Sequence, residues 1–310
     1  MPAALPFRHL LLALAVVCVW GTNFVVIKIA LTHLPPLLFA ALRFSLAFVP
    51  AMLFLPRPAV KFSNLALYGL LIGVGQFGLL YVAMNGHISP GIASLVVQVQ
   101  VFFTIGLSMR LVGERVRAFQ WFALLLASAG IAVIVAHTDG NTTILGLALV
   151  LLAALAWALG NMAAKQGNPV NMLAYVVWSS ALAVPPLLAL SLLIEGPTVA
   201  LTALRHMDAA TWSAVAWQAW GNTLFGYAAW GWLLARHPSA TITPMALLVP
   251  VFGMGASAFW LDESLPGWKL AAAALVLCGL ALNLLWPRLR AVLAQRVEGE
   301  IIRPSAFKKD

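Results

Sequence analysis

The sequence is poor in charge. Only 9% of its 310 residues are Asp, Glu, Lys or Arg, against roughly 25% in a soluble domain. Beside 63% hydrophobic residues, that scarcity excludes an ordinary soluble protein. The nine acids all lie at the ends of apolar runs, in connections or in the tail. The six histidines (His9, His33, His87, His137, His206 and His237) are peripheral too. A proton-driven carrier ordinarily needs a titratable group along its path. The absence favours a facilitator, with a substrate that itself takes up the proton as the alternative. Cys18 and Cys278 are the only cysteines, and both lie in apolar runs. A disulfide or metal site needs paired, accessible cysteines, so both are expected as small core residues. A Gly-rich phosphate loop, His-Glu-x-x-His, a Cys/His cluster and Gly-x-Ser-x-Gly are all missing. No enzyme, metal or cofactor is therefore expected. A channel finds no filter-like loop or ring of like charges. The net charge of +9 is scattered over short connections and a tail, which marks membrane topology rather than nucleic acid. The first apolar run is long enough to span and lacks a small-residue cleavage site, so no cleavable signal peptide is expected.

What is abundant is long apolar runs. Ten are counted, near 9–30, 36–55, 65–85, 90–110, 118–136, 144–164, 171–194, 212–235, 240–261 and 268–286. Runs of about 20 residues suit transmembrane helices rather than barrel strands. The expected fold is an all-α integral membrane protein whose surroundings are a lipid bilayer. Pro35-Pro36 and Pro90 open spans, as proline at a first helical turn should. Pro185-Pro186 in span seven, and Pro244 and Pro250 in span nine, predict kinks or breaks.

The chain repeats itself. Phe103, Gly106, Glu114 and Gly130 align with Phe252, Gly255, Glu263 and Gly279 at one offset of 149. Trp20-Gly-Thr-Asn-Phe-Val-Val-Ile-Lys28 aligns with Trp157-Ala-Leu-Gly-Asn-Met-Ala-Ala-Lys165 at an offset of 137. The second copy is thus longer by about twelve residues, placed in the connection 195–211. The division is 1–138 for the first copy, 139–287 for the second and 288–310 for a basic tail. Five spans per copy is an odd number, so the second copy enters the membrane upside down. Ten helices as two inverted five-helix repeats are a transporter device, with substrate near midplane and alternating access. With the N-terminus in the cytoplasm, fourteen Lys and Arg fall inside and only Arg205 and Lys269 outside. Without the six in the tail the ratio is still eight to two, so both termini are expected in the cytoplasm.

Polar and charged groups within the spans are the candidate functional residues. At mid-depth lie Trp20, Thr22 and Asn23, Gln76 and Tyr81, Gln98 and Gln100, then Trp157 and Asn161, Trp178, Asn222, Thr223, Tyr227, Trp230 and Thr243. Amides and hydroxyls with aromatic walls suit a small zwitterion; hydrogen bonding between helices explains such groups equally well. Gln98 and Gln100 sit about 200° apart around an α-helix and cannot share one face. One is expected to bond a neighbouring helix while the other faces a cavity. Lys28 with Glu263, and Lys165 with Glu114, are candidate salt bridges or gate latches at opposite faces, or else snorkelling interfacial charges. Arg43 in span two either binds a substrate carboxylate or bonds the helix-end carbonyls freed by nearby prolines.

Trp20 to Lys28, Pro35-Pro36 and Leu42-Arg43-Phe44 resemble the opening of the EamA branch of the drug/metabolite transporter superfamily. So do Ala93 to Thr104, Gly113-Glu-Arg115, Gly160-Asn161, Val177-Trp-Ser179 and Leu247-Leu-Val-Pro-Val251, over about 10 to 286. The two-glutamine segment and Gly160-Asn161 are nearest to exporters of O-acetylserine and cysteine; aromatic amino-acid exporters are related members. The resemblance implies ten spans in two inverted repeats, cytoplasmic termini and export of amino acids and related metabolites across a bacterial inner membrane. It also implies a central cavity lined by both halves. In that reading Asn23, Gln76, Gln98 or Gln100 take the ammonium and carboxylate, and Trp20, Tyr81, Trp157, Tyr227 and Trp230 wall the pocket. Asn161 joins them, and Lys28 and Arg43 shape the outer half. The rivals are a broad exporter of drugs or aromatic compounds and a non-transporting membrane scaffold.

Overall fold

The computed structural model describes residues 5–112, 118–138, 141–237 and 239–301. Helix and turn account for the described residues, and no strand occurs among them. The chain begins with α1, Phe7–Ala30. Pro36 then opens α2, Pro36–Ala51, where its missing N–H would have been unpaired anyway. Next comes α3, Phe62–Met84, with a wide π-helical stretch over Leu70–Gly78. The helix at 90–112, α4, tightens to a 3-10 turn at Val97–Val99. Two regular helices follow, α5 at Ala118–Ala136 and α6 at Ile144–Gly167. After them come α7, Met172–Glu195, and a short α8, Pro197–Arg205. The helix at 209–236, α9, is π-helical over Trp217–Phe225. The one at 239–260, α10, carries a 3-10 turn at Thr243–Leu247. Last is α11, Gly267–Ile301. Thr143, Asn171 and Asp208 cap the starts of α6, α7 and α9, each accepting from a backbone N–H, which satisfies donors that the first turn leaves free. The hydroxyl and amide of Thr211 also hold the Asp208 carboxyl below its ordinary pKa.

Among the described residues, eight helices are long and apolar enough to cross a membrane. The other two long elements fall short for different reasons. With its 16 residues, α2 is about 24 Å long, less than a hydrocarbon core of about 30 Å. In α9, length is ample, but Gln218, Asn222, Thr223 and Arg236 dilute the apolar run. The protein is a multi-pass membrane protein. Its proline expectations divide. A break appears at Pro244, the second residue of the 3-10 turn of α10, but not at Pro250, which lies within regular α-helix. No break appears at Pro185-Pro186, where the α-helix runs on to Leu190. The packing of α2 and α3 along α7 supports that course where two backbone bonds are missing. The connection 196–208 folds into α8, where the extra residues of the second copy were placed.

Helix packing pairs α1 with α10 and α9, α4 and α3 with α6, α2 with α7, and α5 with α11. At the last contact a Cβ on Gly130 would collide with Val276 and the Ala272 carbonyl. One on Gly279 would meet the Ala123 carbonyl. Two glycines aligned in the sequence thus face each other's helix and permit close backbone approach. One end of the bundle carries the start of α1, where His9 Nδ1 meets His237 Nε2 at 2.7 Å and Trp178 Nε1 donates to the Leu55 carbonyl at 2.9 Å. We call this end proximal. The opposite, distal end gathers the connections 31–35, 85–89 and 261–266 with residues 137–138 and 141–143, joined by contacts such as Thr143 N to the His87 carbonyl at 2.8 Å. Cys278 is exposed rather than in the core, and Cys18 is half-buried.

Arg43 is 1% exposed. Its Nη1 donates to the Tyr81 hydroxyl at 2.9 Å and its Nη2 to Thr223 Oγ1 at 2.7 Å. The guanidinium also lies 3.9 Å from the Phe77 ring centroid. Tyr81 donates to Gln218 Oε1 at 3.0 Å, and Gln218 Nε2 donates to Asn23 Oδ1 at 2.6 Å. This corrects two expectations. Arg43 is held by side chains and an aromatic face, not by helix-end carbonyls, because α9 brings Thr223 within reach. Tyr81 does not wall a cavity: it is fully buried, with its hydroxyl turned into this network. Replacing Arg43 with Met strips the network of its cation and should lower the melting temperature in detergent by several degrees, from about 2–4 kcal/mol lost. Arg43→Lys should not restore it, since an ammonium lacks the planar fork that reaches both partners.

Candidate functional site

A cavity of about 510 Å³ lies between the two halves of the chain. From the first half it is lined by Trp20 and Asn23 of α1, Tyr68 and Gln76 of α3, and Gln98 and Gln100 of α4. From the second come Trp157 and Asn161 of α6, Asn222, Tyr227 and Trp230 of α9, Thr243 of α10 and Asn283 of α11. Aliphatic and phenylalanine side chains fill the rest. No Asp, Glu, His, Lys or Arg is in the lining.

Local irregularity of the helices builds this wall. Gln76 and Asn222 sit in the π-helical stretches of α3 and α9, and Thr243 opens the 3-10 turn of α10. Gln98 lies in the 3-10 turn of α4, with Gln100 at its end. At three residues per turn the two glutamines are about 120° apart rather than about 160°. Both therefore line one broad cavity, against the expectation that only one would. Gln100 also has its neighbouring-helix bond, since its Oε1 accepts from Asn161 Nδ2 at 3.1 Å. Trp20 donates to the Asn222 carbonyl at 3.1 Å, and its ring centroid is 5.2 Å from that of Trp230 and 6.0 Å from that of Tyr227. Among the described residues, Gln76 Oε1 and Asn283 Oδ1 are buried acceptors without a partner.

Of the ten side chains expected to bind substrate, only Tyr81 is elsewhere. Tyr68, Gln218 and Asn283 were missed. The last two had a signal, an amide inside an apolar run, which hydrocarbon disfavours; Tyr68 had none. The cavity extends towards the proximal end, where Met172 begins α7 and Leu284 nears the end of the apolar part of α11. Towards the distal end it stops at Ile27 and Leu80, beyond which Met84, Ile88 and Ile92 are fully buried.

Charges hold the distal end. Glu263 accepts from Ser89 Oγ at 2.6 Å, Gly91 N at 3.0 Å and Lys269 Nζ at 3.0 Å. Glu195 accepts from Leu37 N at 2.6 Å and Ser191 Oγ at 2.6 Å, with Leu38 N at 3.2 Å. Each carboxylate thus caps the start of a first-half helix, where free N–H groups and the helix dipole favour an anion. The expected Lys28–Glu263 pair is corrected, because Lys269, in the first turn of α11 and 7% exposed, takes Glu263 instead. The Lys28 ammonium lies 3.5 Å from the Met84 carbonyl. The proposed partner of Lys165, Glu114, lies outside the described residues.

Comparison with known proteins gives this cavity a context. The family model of the EamA-like transporter family matches twice, over residues 7–136 and 144–285. A protein of Salmonella typhimurium LT2 named "Probable amino-acid metabolite efflux pump" is 41% identical over 285 residues, 90% of this chain and 95% of that one. Its namesake in Escherichia coli K12 is 38% identical over the same shares. An E. coli K12 protein named as an inner membrane transporter is 30% identical over 256 residues, 80% of each chain. A solved crystal structure, 20% identical, shares the fold with a TM-score of 0.58 over 94% of this chain and 99% of that one. The two matches together cover most of the sequence, and the chain belongs to the EamA-like transporter family.

Proposed function

We propose that the protein exports amino acids and related small metabolites across a bacterial inner membrane by alternating access. The observation that carries this reading is the cavity itself: uncharged, walled by aromatic rings, and holding the unpartnered acceptors Gln76 Oε1 and Asn283 Oδ1. Buried acceptors without donors call for a donor from the occupant, and an ammonium supplies three. The faces of Trp20, Trp157 and Tyr227 add cation–π attraction. The backbone amine of an amino acid fits those groups, and the names of the two efflux-pump relatives agree.

The reading includes ten membrane spans, with α2 and α9 joining the eight long apolar helices. The spans form two inverted five-helix repeats, 1–138 and 139–287, followed by the basic tail 288–310. Two separate matches to one family model support the duplication. So does the packing, in which α1 on α10 answers α6 on α4, and α1 on α9 answers α6 on α3. The π-helical stretches of α3 and α9, and the 3-10 turns of α4 and α10, fall at like positions of the two copies. The bias of Lys and Arg puts the proximal end, with both termini, in the cytoplasm. The cavity then faces inward, and the buried layer with its two carboxylate caps closes the outside.

Efflux of labelled amino acids from preloaded proteoliposomes tests the function. Saturable efflux of some of a panel of cysteine, O-acetylserine, methionine, threonine and phenylalanine is expected. Movement of aromatic drugs alone would replace the amino-acid reading with the broader exporter. Trp157→Ala and Gln100→Ala should each slow efflux at least about fivefold at unchanged expression, the loss of one or two weak contacts. Since the lining has no group that titrates near neutrality, substrate quenching of tryptophan fluorescence should give the same affinity at about pH 6 and pH 8. The inward orientation is checked with cysteines in a background lacking Cys18 and Cys278. Leu284→Cys should react with an impermeant maleimide from the cytoplasmic side, and Ile92→Cys from neither side.

A further inference from the structure

A second cavity, of about 450 Å³, lies at the distal end between α1, the start of α4 and the connection 261–266. Its chemistry is the reverse of the first. Lys28, Asp262, Glu263 and Lys269 line it, with the hydroxyls of Thr32 and Ser89. Successive positions of α1 serve the two cavities, Ile27 lining the central one and Lys28 the distal one. Between them stand the buried side chains of Met84, Ile88 and Ile92.

The charges of the distal cavity are unequally employed. Glu263 is occupied by Lys269, Ser89 and Gly91. Asp262 is exposed, in the left-handed conformation at φ 52°. Lys28 is half-buried, and its one contact among the described residues is the long one to the Met84 carbonyl. An ammonium has three donors, so this cation faces the distal cavity with capacity to spare. Its place in the last turn of α1 suits the helix dipole, but that role alone would be served by a side chain extended into water.

We propose, building on the export reading above, that the distal cavity is an exit subsite in which Lys28 binds the carboxylate of the departing amino acid. The central cavity offers amide acceptors and aromatic faces that suit the ammonium, but no cation for the carboxylate. One helix position further out the order is reversed. When the Met84–Ile88–Ile92 layer parts, the carboxylate reaches Lys28 first, and the exposed Asp262 carboxylate lies across the same cavity for the ammonium. Lys28 then acts on release, not on loading from the cytoplasm.

The test compares the parent with Lys28→Met, Lys28→Gln and Lys28→Arg. Each is reconstituted and preloaded with whichever of labelled L-methionine, L-phenylalanine and O-acetyl-L-serine the parent moves. Expected are a roughly tenfold or greater loss of efflux in the Met and Gln variants, the scale of one charge-assisted hydrogen bond, and recovery to within about threefold by Arg. Central-cavity affinity, read by tryptophan quenching, and melting temperature should stay at parent values. N-acetyl-L-methionine added outside, a carboxylate without an ammonium, should inhibit parent efflux and leave that of Lys28→Met unaffected. Parent-like efflux by both apolar and amide variants overturns the subsite. So does a loss of efflux matched by an equal loss of cavity affinity or of melting temperature, which marks a structural lysine. If the parent moves no amino acid, the functional reading falls and the subsite with it.

Discussion

A guanidinium held among helices without a carboxylate partner dictates much of this bundle. Hydrocarbon offers no water to a buried cation, so its donors must find oxygen within the protein. Two of the Arg43 donors find it on Tyr81 of α3 and Thr223 of α9, while Nε is left to the aromatic faces around it. Through Tyr81 and Gln218 the chain of hydrogen bonds continues to Asn23, a residue of the cavity wall. One connected polar network therefore runs from the core to the cavity and across both halves of the chain. A connected network fixes the relative rotation of its helices more firmly than apolar contact does, because each donor has one direction.

The cavity depends on a second departure from hydrocarbon chemistry. Regular α-helices bring one stripe of side chains to an interface. The π-helical and 3-10 stretches of α3, α4, α9 and α10 change the angular step at mid-length, and side chains that would have diverged converge on one volume. The backbone groups released by such turns need cover, which a cavity lined with amides supplies. Irregular helix and cavity thus support each other.

How far the sequence discloses this follows from the same physics. Apolar length locates most helices, since the bilayer sets a minimum. The runs near 36–55 and 212–235 announce α2 and α9 as well, although α2 proves short and polar groups dilute α9, and both take part in the Arg43 network. Mid-depth amides and tryptophans are legible because their cost in lipid demands a reason, and nine such side chains do meet in one cavity. Tyr81 was equally legible, but its destination depended on Gln218, a partner 137 residues away. Glu263 was recognisable as a pairing charge; its partner was not, because an interfacial carboxylate has two lysines within reach and only the fold selects Lys269 over Lys28. The irregular turns leave little mark on composition, since glycine and proline near them also serve ordinary packing.

The capping carboxylates carry a consequence for the empty transporter. Glu195 and Glu263 both belong to the second half, and both seat on helix starts of the first. Separating the halves at that end uncaps two helices at once, at about 1 kcal/mol or more for each. An imbalance of about 2–3 kcal/mol corresponds to a population ratio of about 30 to 150. Opening the distal end therefore carries that cost whatever the cavity holds, and the distal seal rests on charge as well as on apolar packing. Two acids of the second half, seated on helix starts of the first, thus act as clasps between the halves.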